Sequence, residues 1–128
     1  ASAGTLECEI LARCEGRVLS TNCFAIPPEP VRFVWRGSGM ISGSVTLGTE
    51  PPEPVMVIEG KREVVFVRAL GEGGSVETMS YAVNRRDLTM MVVPDWEKPG
   101  YMGEPNWTGT CAEDAQISAC ATSRKESA

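Results

Sequence analysis

Pro27-Pro28-Glu29-Pro30-Val31-Arg32-Phe33-Val34-Trp35 is the stretch on which the fold reading turns, because its first half returns as Pro51-Pro52-Glu53-Pro54-Val55. Each copy leads into an apolar run, residues 31–35 in the first case and 55–58 in the second. Proline fixes φ, holds the lead-in extended and has no N–H to give to a sheet, so strand pairing is expected to begin just after each copy. Within the first run the side chains alternate. Val31, Phe33 and Trp35 fall on one face of an extended chain and Arg32 and Arg36 on the other, the period-two signature of a half-buried strand.

The same alternation spreads outward from there. Ile41, Val45 and Leu47 interleave with Ser42, Ser44 and Thr46, and Leu88, Met90 and Val92 line one face of a later strand. Residues 55–58 and 64–67 are apolar on both faces, which predicts central positions or cover by another segment. Further strands are predicted at residues 6–11, 18–26, 79–83 and 107–111. Glu59-Gly60-Lys61-Arg62-Glu63 and Val83-Asn84-Arg85-Arg86-Asp87 are short, charged and contain Gly or Asn, as tight hairpins require. Two good copies and one faint one are too few to stack as a solenoid. No helical period persists over eleven residues. The fold expected is all-β: an antiparallel meander closing into a small up-and-down barrel of about eight strands, with a β-sandwich as the alternative. The barrel is preferred because successive hairpins leave open edges only at the first and last strands.

Composition bounds the rest. A chain of 128 residues holds one core, read here as a single β domain over residues 1–112 and a polar tail over 113–128 for which disorder is the simpler expectation. Hydrophobic residues at 42% and charged residues at 23% exclude wholesale disorder, and 13 Gly with 9 Pro punctuate the apolar runs. With a net charge of −5 the general field repels phosphate, so neither nucleic acid nor an anionic membrane is an expected partner. Arg85-Arg86 is a short local basic strip and reads as a solvated turn. No run approaches the roughly 18 apolar residues of a membrane span. Ala1-Ser2-Ala3 has the A-x-A form of a signal-peptidase site, which would start the mature protein near Gly4.

Five cysteines sit at positions 8, 14, 23, 111 and 120, none in a C-x-x-C pair, and the chain has no histidine. The common zinc signatures are therefore missing, and neither a metal site nor a cofactor is expected. Cysteines confined to the two ends of a small chain suit disulfides, hence an extracytoplasmic setting, periplasmic or secreted. Fifteen two-bridge patterns are open to five cysteines. A Cys8–Cys111 bridge would join the first and last strands, since Cys8 shares a face with Leu6 and Ile10, and Cys14–Cys23 would close the first hairpin. Cys120, in the polar tail, is then the odd thiol and could tether a partner through an intermolecular disulfide.

Tyr81-Ala82-Val83, Asp87-Leu88-Thr89-Met90 and Trp107-Thr108-Gly109-Thr110-Cys111 together resemble the end of small secreted bacterial β-barrel proteins. Those finish in a strand with a Gly-x-Cys that pairs with a cysteine near the mature N-terminus. The c-type lysozyme inhibitors of the bacterial envelope are similar in size and in disulfide-tied design. Such inhibitors present a Ser-Gly loop and a lysine, whereas here Ser42-Gly43-Ser44 has no adjacent lysine and Lys61 sits at another turn. The resemblance spans the last third of the barrel and implies architecture, with no functional residue carried over.

An enzyme is not expected. Without histidine the usual general base is missing, and no motif sets a lysine or carboxylate beside a serine or cysteine nucleophile, so no catalytic residue is assigned. Glu50 with Glu53, and Asp95 with Glu97, flank proline turns and read as solvated loop carboxylates. Met79, Met90 and Met91 lack M-x-M spacing and read as core filler. Asn106-Trp107-Thr108 matches a glycosylation acceptor, which matters only in a eukaryotic secretory setting.

The richest local feature is the segment 94–107, where three of the eight aromatics, Trp96, Tyr101 and Trp107, stand among Pro and Gly. Exposed aromatics on a rigid loop give large contact area at low entropic cost, which makes these three the candidate binding residues. The competing reading has Trp96 and Tyr101 plugging the barrel mouth and Trp107 packed beside Cys111. The function expected is a non-enzymatic extracytoplasmic module acting by contact with a protein partner, as an envelope accessory subunit or an inhibitor. The alternative is a carrier of a small apolar ligand inside the barrel. A filled interior favours contact; a cavity lined by Val, Met and Phe and open at one end favours the carrier. Partner identity and oligomeric state are not legible in the sequence.

Overall fold

The computed structural model of the chain describes residues 4–15, 22–69, 77–96 and 106–113, with the side chains of all of these except Met40, Ile41, Glu77, Asp95 and Trp96. The alternating runs become eight antiparallel strands: β1 (Gly4–Glu15), β2 (Asn22–Trp35), β3 (Gly39–Leu47), β4 (Glu53–Glu59), β5 (Glu63–Ala69), β6 (Glu77–Asn84), β7 (Thr89–Trp96) and β8 (Asn106–Glu113). Each strand pairs with the next, and β1 pairs with β8, so the meander closes into a barrel rather than folding into a sandwich. Closure satisfies the backbone of the first and last strands without a free edge.

Period two decides what fills the barrel. Val31, Phe33 and Trp35 turn inward while Arg32 stays outside, and they meet Val45, Val55, Val57, Phe66, Tyr81 and Met90 from the neighbouring strands. Phe33 and Phe66, both 0% exposed, stack with centroids 4.1 Å apart. Tyr81 meets Phe33 edge-on at 5.3 Å and Trp35 meets Phe66 edge-on at 5.2 Å, offsets that aromatic quadrupoles favour. The indole of Trp35 fits because Gly4 and Gly43 flank it. A β-carbon at Gly4 would lie 2.8 Å from the ring, and one at Gly43 would lie 2.9 Å from the Cβ of Trp35. Its Nε1 donates to Oε1 of Glu59 at 2.7 Å, so the polar edge of the ring is not left unsatisfied.

The first proline cluster lies inside a strand, contrary to the expectation that pairing starts after it. The runs predicted separately at 18–26 and 31–35 are continuous in β2, which begins at Asn22 within the described residues. Opposite residues 26–28 the ladder with β1 is interrupted: Ile10 pairs with Glu29 and Ala12 with Ala25. Pro27 therefore sits where no ladder donor is needed. Pro30 turns its carbonyl away from β1 to accept from Gly48 N at 3.0 Å, so its missing N–H also faces that side, beyond the reach of β3. Prolines on an unpaired strand margin cost no ladder bonds and discourage edge pairing. In the second copy β4 starts at Glu53, and Pro54 already pairs with Ser44.

A second interruption shapes the site. Ile10 pairs with Gly109 and Ala12 with Thr108, which leaves Leu11 as an extra residue on β1. A β-bulge of this kind inverts the in–out alternation beyond it. Leu6, Cys8 and Ile10 face inward before the bulge, and Arg13 lines the barrel mouth after it. Gly109 makes the bulge possible, because any β-carbon there would overlap the Glu9 carbonyl. Disulfides join Cys8 to Cys111 across the β1–β8 seam and Cys14 to Cys23 across the β1–β2 pair. Leu88, predicted in the strand, instead closes the β6–β7 turn with φ 59° and donates N–H to Asn84 O at 2.9 Å. β7 begins one residue later, and Met90 and Val92 take the inward positions.

Candidate functional site

Three surfaces of the barrel bear on function: its outer wall, its mouth and its opposite end. On the outer wall, residues 55–58 and 64–67 were expected to lie centrally or under cover, and they lie centrally, in β4 and β5. Val55, Val57, Val64 and Phe66 face the core, and the alternating partners face out without cover among the described residues. The register aligns them into two rows. Met56, Val67, Ser80 and Val93 form one; Ile58, Val65, Ala82 and Met91 form the other. Ile58 is 50% exposed, Met91 52% and Val93 42%, and among the described residues the rows hold no charged side chain. Cross-strand packing accounts for only part of this apolar area. Thr78, Asn84 and Thr108 continue the pattern at its margins, giving an apolar centre with a polar surround. Met91 is thus a surface residue, not core filler, whereas Met90 is buried and Met79 packs against the core.

The mouth is a cup of about 560 Å³ lined by Ile10, Val31, Leu47, Met79, Val92 and Trp107, with Tyr81 beneath and Arg13, Glu29 and Arg68 among the apolar walls. Trp107, half-buried on β8, stands opposite Arg13, whose Cζ lies 5.9 Å from the ring centroid. It packs against the core, as does Cys111. Arg13 Nη2 reaches Glu15 Oε1 at 3.0 Å, while its Nε is buried with no hydrogen-bond partner among the described residues. Arg68 donates Nε to Glu53 Oε2 at 2.7 Å and Nη1 to the Tyr81 hydroxyl at 3.5 Å. Burial works against the Arg68 charge, but the Tyr81 hydroxyl and the Glu53 carboxylate outweigh it and hold the guanidinium above its ordinary range. Burial pushes the Tyr81 phenol up, and the nearby Arg68 offsets part of that.

At the opposite end the β4–β5 and β6–β7 turns meet. Arg85 N donates to Arg62 O at 2.9 Å and Arg85 Nε to Gly60 O at 2.8 Å, so Lys61, Arg62, Arg85 and Arg86 gather around one concavity. Asp87 stands beside them. The N–H and hydroxyl of Thr89 hold its carboxyl below the usual range.

Of the three candidate binding residues, Trp107 alone can be placed in full, whereas the cysteine pairs Cys8–Cys111 and Cys14–Cys23 are bonded as expected. Trp96 ends β7 with its backbone opposite Glu77, and its side chain lies outside the described residues, as do Tyr101 and Cys120. Arg13 and Arg68 were not anticipated. Strict alternation hides Arg13, because the bulge that turns it inward leaves only the Gly109 signal in the sequence. Arg68 was findable as the charged residue at an inward position of an apolar strand. Comparison with protein-family models, with curated proteins and with solved structures returned no match.

Proposed function

We propose that this barrel is a non-enzymatic extracytoplasmic module that acts by protein contact, and that the outer wall of β4 to β7 is its contact surface. The observation that carries the reading is the double row of outward apolar side chains around Ile58, Val65, Met91 and Val93 on a barrel whose interior is already occupied by Phe33, Phe66 and Trp35. A contiguous row of exposed apolar side chains with a polar margin is the anatomy of an interface core. Among the described residues the aromatic layer occupies the middle of the barrel and confines any small ligand to the cup at the mouth, which favours contact over carriage inside the body. Two disulfides in a chain of 128 residues support an oxidising compartment, and no helix among the described residues is long and apolar enough to cross a membrane. An envelope accessory subunit and an inhibitor of an envelope enzyme both fit.

Affinity capture from envelope extracts of the native host tests this. The pair Ile58→Glu and Met91→Glu places two charges in the patch at positions already half-exposed, where substitutions change stability little. Arg32→Glu, on the outside of β2, is the control. A defined partner retained by the wild type and the control but lost by the pair supports the reading. The same captured set in all three sinks it.

A further inference from the structure

We infer that the barrel mouth is a binding site for a small amphipathic monocarboxylate, with its apolar body in the cup and its carboxylate on Arg13. The inference is independent of the outer wall.

The volume comes first. About 560 Å³ lies within the range of small-ligand pockets, about 300–1,000 Å³. Its walls are apolar on most strands, and the Tyr81–Phe33–Phe66 layer closes its base, so an occupant is held at the mouth and does not enter the body of the barrel. The polar groups then select the head. A guanidinium has five N–H donors. Arg13 spends one nitrogen on Glu15, and its buried Nε has no acceptor among the described residues. The Arg13 side chain as a whole is 41% exposed, so the remaining N–H groups of its guanidinium, and not the occluded Nε, are open to an acceptor oxygen from the cup. The Arg13–Glu15 pair is about half-exposed on both sides, so it is weakly held and does not compete strongly with an incoming carboxylate.

The other charges set the valence. Arg68 is already engaged by Glu53 and Tyr81, which leaves Arg13 as the available cation of the cup. With Arg13 on Glu15 and Arg68 on Glu53, Glu29 leaves the cup with one negative charge in excess, so a carboxylate binds by displacing Glu15 from Arg13, and a second charge on the ligand is penalised. A single carboxylate is the most the cup takes; a phosphate dianion exceeds it. Trp107, under the Arg13 guanidinium, offers its edge and remaining face to the apolar body.

Isothermal titration with decanoate, methyl decanoate and decylamine, each below its micelle concentration, tests the inference. Decanoate is expected to bind at least about tenfold more tightly than the ester, the worth of one charge-assisted hydrogen bond. Arg13→Met keeps the apolar stem and should abolish that preference. Glu29→Gln, at an exposed position, should raise decanoate affinity, a gain that a misfolded protein cannot produce. Equal binding of acid and ester, preference for the amine, no binding of any of the three, or no gain in Glu29→Gln overturns it.

Discussion

Removing the disulfides one at a time measures what barrel closure contributes, because the two bridges differ in one respect above all. Cys8–Cys111 spans 103 residues and locks the β1–β8 seam, whereas Cys14–Cys23 spans 9 and ties two strands already joined by a hairpin. In the chain-entropy account a cross-link stabilises by restricting the unfolded chain, with a logarithmic dependence on the closed loop. That gives about 4.7 kcal/mol for the long loop and about 2.6 kcal/mol for the short one. Packing acts in the same direction, since Cys8 belongs to the core and Cys111 packs against it, whereas Cys14 lies outside the core cluster and Cys23 is exposed. The double variant Cys8→Ala/Cys111→Ala should therefore lose at least about 2 kcal/mol more than Cys14→Ala/Cys23→Ala. Guanidinium denaturation reads the difference, compared as extrapolated free energies because cutting a cross-link also changes the m-value. Equal losses, or a larger loss from the short bridge, would refute the view that the seam staple acts mainly on the unfolded chain.

Other predictions concern particular residues. Gly109→Ala forces a β-carbon onto the Glu9 carbonyl, which is backbone and cannot rotate away, so it should destabilise by at least about 2 kcal/mol in the same assay. Phe66→Ala opens a cavity under the stacked Phe33 ring and should cost about 3–5 kcal/mol in urea or thermal unfolding. Tyr81 has its folded pKa raised by burial, so its share of stability is complete below the unfolded value of about 10 and is lost as pH rises through the folded value. Denaturation midpoints across the alkaline range should fall above that pH in the wild type, and that component should be missing in Tyr81→Phe.

Much of the barrel was legible because period two is a local signal. Val31, Phe33 and Trp35 point inward as their spacing demands, and Cys8 shares their side of the wall. The prolines misled because their effect depends on where the ladder runs. Pro27 sits at an interruption and Pro30 on a margin, so neither ends β2. Leu88 misled for a related reason: alternation says nothing of a turn whose last residue takes a left-handed conformation. The mouth was the least legible region. Arg13 lies three residues beyond Ile10 on paper, and only the bulge at Leu11 brings both to one cup. The outer wall was visible as two runs apolar on both faces, but which face needs cover is a property of the closed barrel and not of the runs.

Site-specific photo-crosslinking tests the central claim most directly. A photoreactive residue at Met91 or Val93, on the apolar rows, is compared in the native envelope with one at Arg32, on the outer face of β2. The account predicts a discrete protein adduct from positions 91 and 93, abolished by Ile58→Glu, and none from position 32. Adducts of equal yield from all three positions, or from position 32 alone, would contradict it.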